Sequence, residues 1–265
     1  MTIGVIISTY NNPAWLEKTL WGYLCQLRPA DEIIIADDGS APETRQMVMQ
    51  YADRLPIKYV WHEDEGFRKT KILNEALRVA QSDYLVFTDQ DCVPREDFLA
   101  EHALNAQRGY FLSGGAFLLP IPICEQITLD DIQSQHAFDL KWLRNKGLKW
   151  SFNCTKLVRL PWFSRTMNAI TPAKATWNGG NASGWRDDLL AAKGFDERMK
   201  YGGEDRELGE RLVNAGLKGK QLRYTAITIH LDHDRPYVNQ EAIKQNNKIR
   251  QHTRATHTVT TEYGL

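Results

Sequence analysis

Two carboxylates two residues apart, in Asp89-Gln90-Asp91, are the part of this 265-residue chain best suited to chemistry. Residues 84–88 before them, YLVFT, are aromatic and β-branched, the composition of a buried strand. Pro94 then stops any regular continuation. Acids at the exit of a buried strand repel each other and lose hydration. A hard divalent cation with oxygen ligands offsets that cost. The plainer alternative is a polar turn with solvated acids, and a lone D-x-D does not decide between the two.

The elements that would position these acids are legible in the first hundred residues. Residues 3–8 (IGVIIS), 32–36 (EIIIA), 57–61 and 84–88 read as strands, the first two apolar enough to be covered on both faces. Asn12 can cap a helix with Pro13 as its first residue, running to about Leu27. Ser40 and Glu43 have capping-box spacing, with Pro42 in the first turn. Ile72, Leu73, Ala76, Leu77 and Ala80 predict a third helix. Alternating strand and helix predict an α/β fold, a mostly parallel Rossmann-like sheet flanked by helices. Ligands of such sheets bind beyond the carboxyl ends of the strands. Those ends carry Thr9-Tyr10-Asn11, Asp37-Asp38-Gly39, Gly66-Phe67-Arg68-Lys69 and Asp89-Gln90-Asp91.

No glycine-rich turn follows the first strand and no P-loop is present. A metal at the D-x-D with Arg68, Lys69 or Lys71 would therefore have to neutralise any bound diphosphate. Tyr10 either stacks on a base or simply packs at a strand end, and Asp38 can accept from a base or ribose. Basic residues in a first helical turn oppose the helix dipole, which favours a functional reason over a solvated turn.

Lys plus Arg equals Asp plus Glu at 33 each, which argues against a protein that coats nucleic acid. There is no apolar run of about 18 residues, and no basic n-region with a cleavage site. The expectation is a cytoplasmic protein, docked at most on the inner face of a bacterial inner membrane. Four scattered cysteines suit reduced thiols. Residues 140–186 hold no Asp or Glu, yet nine Lys or Arg interleave there with Trp142, Trp150, Trp162, Trp177 and Trp185. That mixture suits a nucleic acid, an anionic membrane or an anionic glycan, or it is a solvated insertion with a few core tryptophans. The neutral overall charge makes nucleic acid the poorest fit. The stretch is expected to be irregular.

Further on, residues 186–193 predict a short helix stopped by Gly194, and Tyr201-Gly202-Gly203-Glu204-Asp205 opens another that Gly216 ends. Two glycines let backbone approach a bound sugar closely, and acids suit a helix N-terminus. Residues 226–229 read as a strand ending in His230, with His233 close behind. Residues 239–255 read as a polar, basic helix.

Taken together, Ser8-Thr9-Tyr10-Asn11, Asp37-Asp38-Gly39-Ser40, Gly66-Phe67-Arg68 and Asp89-Gln90-Asp91 resemble a family 2, GT-A-fold glycosyltransferase. Asn178-Gly179-Gly180-Asn181-Ala182-Ser183 and Tyr201-Gly202-Gly203-Glu204-Asp205 are similar to the acceptor-side motifs of chondroitin-polymerase-like and β-1,4-galactosyltransferase-like domains. The resemblance spans residues 3 to about 235. It implies a nucleotide-sugar donor, a UDP-sugar above all, held by Thr9, Tyr10, Asn11, Asp38, Gly66, Arg68, Lys71, Asp89 and Gln90. It implies Mn2+ or Mg2+ on Asp91, with Asp89 and a late histidine, His230 ahead of His233. An imidazole ligand favours Mn2+. The acceptor, a saccharide or lipid-linked saccharide, is implied to meet Asn181, Trp185, Gly202, Gly203 and Glu204, with Asp205 as the inverting catalytic base. Tyr201 stands where galactosyltransferase-like members have Trp, which leaves the acceptor sugar open.

The expected organisation is a nucleotide-sugar half over 1–110, an acceptor and base half over 111–235, and a helical tail over 236–265. The expected setting is polysaccharide or lipopolysaccharide assembly. The competing classes are a nucleotidyltransferase acting on a sugar phosphate and a non-catalytic glycan-binding module. The first lacks its triphosphate loop, and the second does not account for acids at the strand exits.

Overall fold

The computed structural model describes residues 1–234 and 238–265. In chain order it runs β1 (Ile3–Thr9), α1 (Pro13–Leu24), β2 (Glu32–Asp37), α2 (Pro42–Met49), β3 (Ile57–Trp61), α3 (Lys69–Val79), β4 (Tyr84–Asp89) and β5 (Cys92–Pro94). There follow α4 (Phe98–Asn105), β6 (Tyr110–Leu119), α5 (Ile121–Gln126), α6 (Leu129–Gln133), α7 (Leu140–Asn145), α8 (Pro161–Ile170) and β7 (Ala182–Trp185). The chain closes with α9 (Arg186–Ala191), α10 (Glu204–Asn214), β8 (Lys218–Leu231) and α11 (Gln240–Ala255). The boundary expected between residues 235 and 236 lies outside the described residues. No helix among the described residues is long and apolar enough to cross a membrane.

One sheet holds all eight strands in the order β3-β2-β1-β4-β7-β6-β8-β5. The first four in that order are parallel, as their uninterrupted apolar runs predict. Val5, Ile7, Ile33 and Ile35 pack with Leu16 and Leu20 of α1 on one face. Ile6, Ile34, Leu85 and Phe87 pack with Ile72 and Leu77 of α3 and Leu208 and Leu212 of α10 on the other. A strand with period two can only do this if both faces are covered.

The other strands are less regular. β7 joins antiparallel to β4, and β6 pairs parallel with β8. The β6–β8 register slips between Gly114, opposite Leu222, and Gly115, opposite Ile227. The space left by the slip is filled by the Asn181 amide. Its Nδ2 donates to the carbonyls of Gly115 and Ala226 at 3.0 Å each. A Cβ on Gly114 would fall 2.0 Å from Asn181 Oδ1, so only glycine fits. Asn181 Oδ1 in turn accepts from His102 Nε2 at 3.1 Å, which leaves His102 Nδ1 to accept from Ser183 Oγ at 2.7 Å. Burial of this imidazole pulls its pKa down to about 4, so it stays neutral.

Several local expectations need correction. Asn12 does cap α1, accepting from Trp15 N, but the helix ends at Leu24 because Cys25 leaves helical backbone. Ser40 is not a cap: Ala41 holds that position, and the Ser40 hydroxyl accepts from Asn11 N at 2.8 Å. The basic, tryptophan-rich stretch is ordered into α7, a 3-10 turn at Phe152–Leu157, and α8. Trp177 is a fully buried core residue, whereas Trp150 and Trp162 are exposed.

The C-terminal helix closes over α10. Asn246, 1% exposed, donates from Nδ2 to the carbonyls of Lys200, Tyr201 and Gly202 at 2.7, 3.3 and 3.2 Å. Thr253 donates to Glu207, and Arg250 pairs with Glu210. Gly202 and Gly203 have φ of 109° and 98°, and a Cβ on either would meet Ile243 at 2.9 Å or Arg250 at 3.1 Å. The close approach that these glycines permit is to α11.

Candidate functional site

The four parallel strands end in one network. Ser8 Oγ donates to Asp89 Oδ1 at 2.6 Å, and Thr9 Oγ1 donates to Gln90 Oε1 at 2.5 Å. Gln90 also receives Tyr10 N and donates to Tyr10 O, so its amide is spent on the β1 exit. Tyr10, 44% exposed, donates its hydroxyl to Asp64 at 2.9 Å. Asn11 Oδ1 accepts from Ala41 N at 2.9 Å. Asp38 accepts from Arg68 N at 3.0 Å and lies 2.7 Å from His62 Nε2. Burial raises the Asp38 carboxyl above its usual value, against the lowering pull of His62 and Arg68. Gly66 N donates to Asp64, and the Arg68 guanidinium is held by Glu65 and the Glu63 carbonyl. Lys71 sits half-buried in the first turn of α3. Every sequence-derived donor residue thus lies on one edge, built from the β1, β2 and β4 exits and the start of α3.

The two acids of the D-x-D have different neighbours. Asp91, 5% exposed, faces His233 Nε2 at 2.9 Å and His230 Nε2 at 3.4 Å. Burial works to raise this carboxyl, but the hydrogen bond from His233 and the charge of both imidazoles outweigh it and hold its pKa below the usual value. Asp91, Cys92 and His230 offer donor atoms all within 4.8 Å of one another. Burial pushes the Cys92 thiol far up, so it remains protonated and is a poor partner for a cation. His230 Nδ1 is buried with no hydrogen-bond partner among the described residues. One carboxylate and two imidazoles fit a cation of the Mn2+ kind. Asp89 turns the other way. Its Oδ1 accepts from Lys69 Nζ at 2.5 Å as well as from Ser8, so the acid expected to share the metal pairs with an ammonium.

Lys69 connects this edge to the start of α10. Burial disfavours its charge, but Asp89, Glu204 and Asp205 outweigh that and hold the ammonium above its usual pKa. Asp205 Oδ2 accepts from Gly179 N at 2.9 Å. The next residue, Gly180, accepts from Thr88 Oγ1 at 3.2 Å, and a Cβ on it would lie 3.2 Å from Asp89 Oδ2. The Gly179-Gly180 turn therefore runs from the Asp205 carboxylate to the Asp89 carboxylate. Glu204, 7% exposed, accepts from Gly202 N at 2.9 Å. Its carboxyl is raised by burial, lowered in part by Lys69 and raised again by Asp205.

Two expected acceptor residues are not at this edge. Asn181 is fully buried in the β6–β8 slip, where its amide has backbone to satisfy. Trp185 lies opposite Tyr84, at the far end of β4 from Asp89, with the Arg108 guanidinium 3.8 Å above its ring. Gly202 and Gly203 are near Asp205 but turned onto α11. The sequence gives His62 no part, names Ser8 and Gly179 only within motifs, and offers Lys69 only as one of three diphosphate cations. The signal for Lys69 was present, a lysine at the unfavourable end of a helix dipole. His62 and Ser8 carried no comparable mark.

Comparison with known proteins agrees with this architecture. A profile described as glycosyl transferase family 2 matches residues 4–151, and one described as the N-terminal domain of galactosyltransferase matches residues 166–234. Validoxylamine A glucosyltransferase of Streptomyces hygroscopicus subsp. limoneus is 32% identical over 235 residues, covering 81% of this chain and 48% of that protein. Chondroitin synthase of Escherichia coli is 30% identical over 240 residues, covering 81% of this chain and 32% of that protein. The chain thus spans half or less of these two relatives. The crystal structure of S. aureus TarS 1-349 in complex with UDP-GlcNAc superimposes with a TM-score of 0.68 at 17% identity, over 97% of this chain and 69% of that one. The mannosyltransferase PcManGT of Pyrobaculum calidifontis, in complex with GDP-Man and Mn2+, gives 0.57 at 20% identity, over 96% and 62%. The fold is the GT-A arrangement, and with a family profile matching more than half its length, the chain belongs to glycosyl transferase family 2.

Proposed function

We propose that the protein is an inverting, metal-dependent glycosyltransferase that moves a sugar from a UDP-sugar to a hydroxyl of a saccharide or lipid-linked saccharide, as in polysaccharide assembly. The observation that carries the reading is the bridge made by Lys69 and the Gly179-Gly180 turn between Asp89 and Asp205. It brings a strand-exit donor edge and a polar carboxylate at a helix start to one place. Support for the donor comes from TarS, whose crystals hold UDP-GlcNAc or UDP, and support for the setting from the relatives named chondroitin and hyaluronan synthases.

In this reading Tyr10 stacks on the base, and Asp38, steadied by His62, accepts from base or ribose. Asp205 takes the proton of the acceptor hydroxyl as its oxygen bonds to the anomeric carbon. The bond from that carbon to the diphosphate oxygen breaks on the opposite face, and the electron pair leaves with UDP. A divalent cation held by Asp91, His230 and His233 would supply positive charge to the departing diphosphate. Lys69 supplies a second positive charge between the two ends. Glu204, with its raised carboxyl, is suited to hold a hydroxyl of the acceptor sugar. General-base assistance of this kind is worth about 10²–10⁴-fold.

The test is a screen of nucleotide sugars for binding and for slow release of UDP, with and without Mn2+. Metal-dependent release from one UDP-sugar supports the reading. If no nucleotide sugar binds under either condition, it fails. Asp205→Asn is then expected to lower transfer by about 10²–10⁴-fold while UDP affinity holds. An equal loss of UDP binding would put Asp205 in the donor site or the fold.

A further inference from the structure

We propose that the outer face of α8, with the turn that precedes it, docks the protein on an anionic phospholipid surface. The inner side of α8 is fixed against β8: Ser164 is buried, and the Asn168 side chain receives Tyr224 N and donates to Thr225 Oγ1. At about 100° per residue, this leaves Trp162, Thr166 and Ile170 as one outward stripe, with Arg165 and Ala169 beside it. Trp162 and Ile170 are 67% and 66% exposed. The chain leading into α8 adds Leu160 at 49%, Phe152 at 69% and Trp150 at 61%. Exposed apolar side chains of this size, close together in the chain, need a partner.

The charge around them says which. Every exposed charged residue between 140 and 174 is a lysine or arginine. Beside the face, Lys141 and Trp142 help line a groove of about 620 Å³ that also holds Asp139 and an Arg159 paired with Glu96, so the charge offered to a lipid surface is that of the exposed lysines and of Arg165. Basic residues with protruding Trp, Phe and Leu are the composition of a helix lying in a lipid interface. Trp150, Phe152 and Trp162 would suit a sugar as well as a lipid, but the aliphatic Leu160 and Ile170 stack on no sugar face. Eight residues, 171–178, lead from this face to Gly179, whose amide holds Asp205. Docking would place the enzyme on the surface where acceptors carried on lipid are found.

Cosedimentation of the full chain with vesicles tests this, using phosphatidylcholine alone or mixed with phosphatidylglycerol. The expected result is partition onto the mixed vesicles only. Trp162→Ala with Ile170→Ala, and separately Lys149→Glu with Arg165→Glu, should each weaken it at least about tenfold. UDP binding should be unchanged in both pairs, so a failure of docking is read separately from a failure of the transfer reading. No partition onto anionic vesicles overturns the proposal, as does partition indifferent to both pairs. Capture by a soluble anionic polysaccharide that competes fully with vesicles would assign the face to a glycan instead.

Discussion

The parallel half of the sheet and the mixed half hold their parts of the site by different means. At the exits of β1, β2 and β4, polar side chains are fixed by the neighbouring strand end: Ser8 by Asp89, Thr9 by Gln90, and Ser40, which accepts from Asn11 N. The Asp205 carboxylate has one bond of this kind, from Gly179 N. Gly202, Glu204 and Asp205 sit at a helix start positioned from below by Asn246 and, through Glu207, by Arg211 and Thr253. The strand-exit edge is thus many separate bonds between part-buried or exposed groups, and the Asp205 segment is placed by a few almost fully buried polar groups. Damage should be spread thinly in the first and concentrated in the second.

The sharpest test of that contrast is Arg211. It is fully buried, paired with Glu207 at 2.9 Å, and donates to the carbonyls of Ala192 and Gly194. Arg211→Met leaves Glu207 buried without its partner and should cost about 3–5 kcal/mol, read by urea unfolding. His102 comes next. Its folded pKa of about 4 lies below the 6.5 of a free imidazole, so the unfolded chain binds the proton first as pH falls. The stability this group contributes is whole above pH 6.5 and declines toward pH 4 by about 3 kcal/mol. His102→Asn should show a visibly flatter stability profile over that window, and an unchanged slope would remove His102 as the cause.

Asn246→Ala frees three carbonyls in the loop before α10 and should cost about 1–3 kcal/mol. It is expected to lower kcat with little change in UDP affinity; loss of UDP affinity alone would break the division of labour. The smallest effect belongs to the donor edge. Thr9→Val removes one bond from a network whose acceptor, Gln90 Oε1, keeps Tyr10 N, and should cost about 1 kcal/mol in thermal unfolding. A penalty as large as that of Arg211→Met would erase the contrast.

The same difference explains what the sequence could convey. The apolar runs ending in Ser8, Ala36 and Thr88 announce buried parallel strands, and polar residues directly after them announce an edge where ligands bind. Both signals are local. β6 carries Gly114-Gly115 within its run and β8 begins with Lys218, Lys220 and Gln221, so neither shows a clean period. Their register depends on Asn181, more than sixty residues from β6, and no local pattern encodes that plug. Gly202 and Gly203 look like ligand residues because paired glycines mark close approach, and Asn181 because its motif resembles an acceptor-side one. What approaches them is the protein's own backbone or α11. The Lys69 partner of Asp89 is equally hidden, coming from a distant element, and the late histidines beside Asp91 are reached only through the family resemblance.

The clamp made by Asn246 and Thr253 also sets an order in time. During synthesis the donor edge is complete in sequence once residue 91 has left the ribosome, whereas the loop before α10 waits for some forty further residues after its own appearance. For that interval Asp205 sits on a segment that has its Gly179 and core contacts but lacks those of α11. Limited proteolysis of ribosome-arrested chains would read the interval directly, as cleavage near residue 202 that ceases once residue 253 is exposed. The segment that carries Asp205 is the last part of the site to be organised.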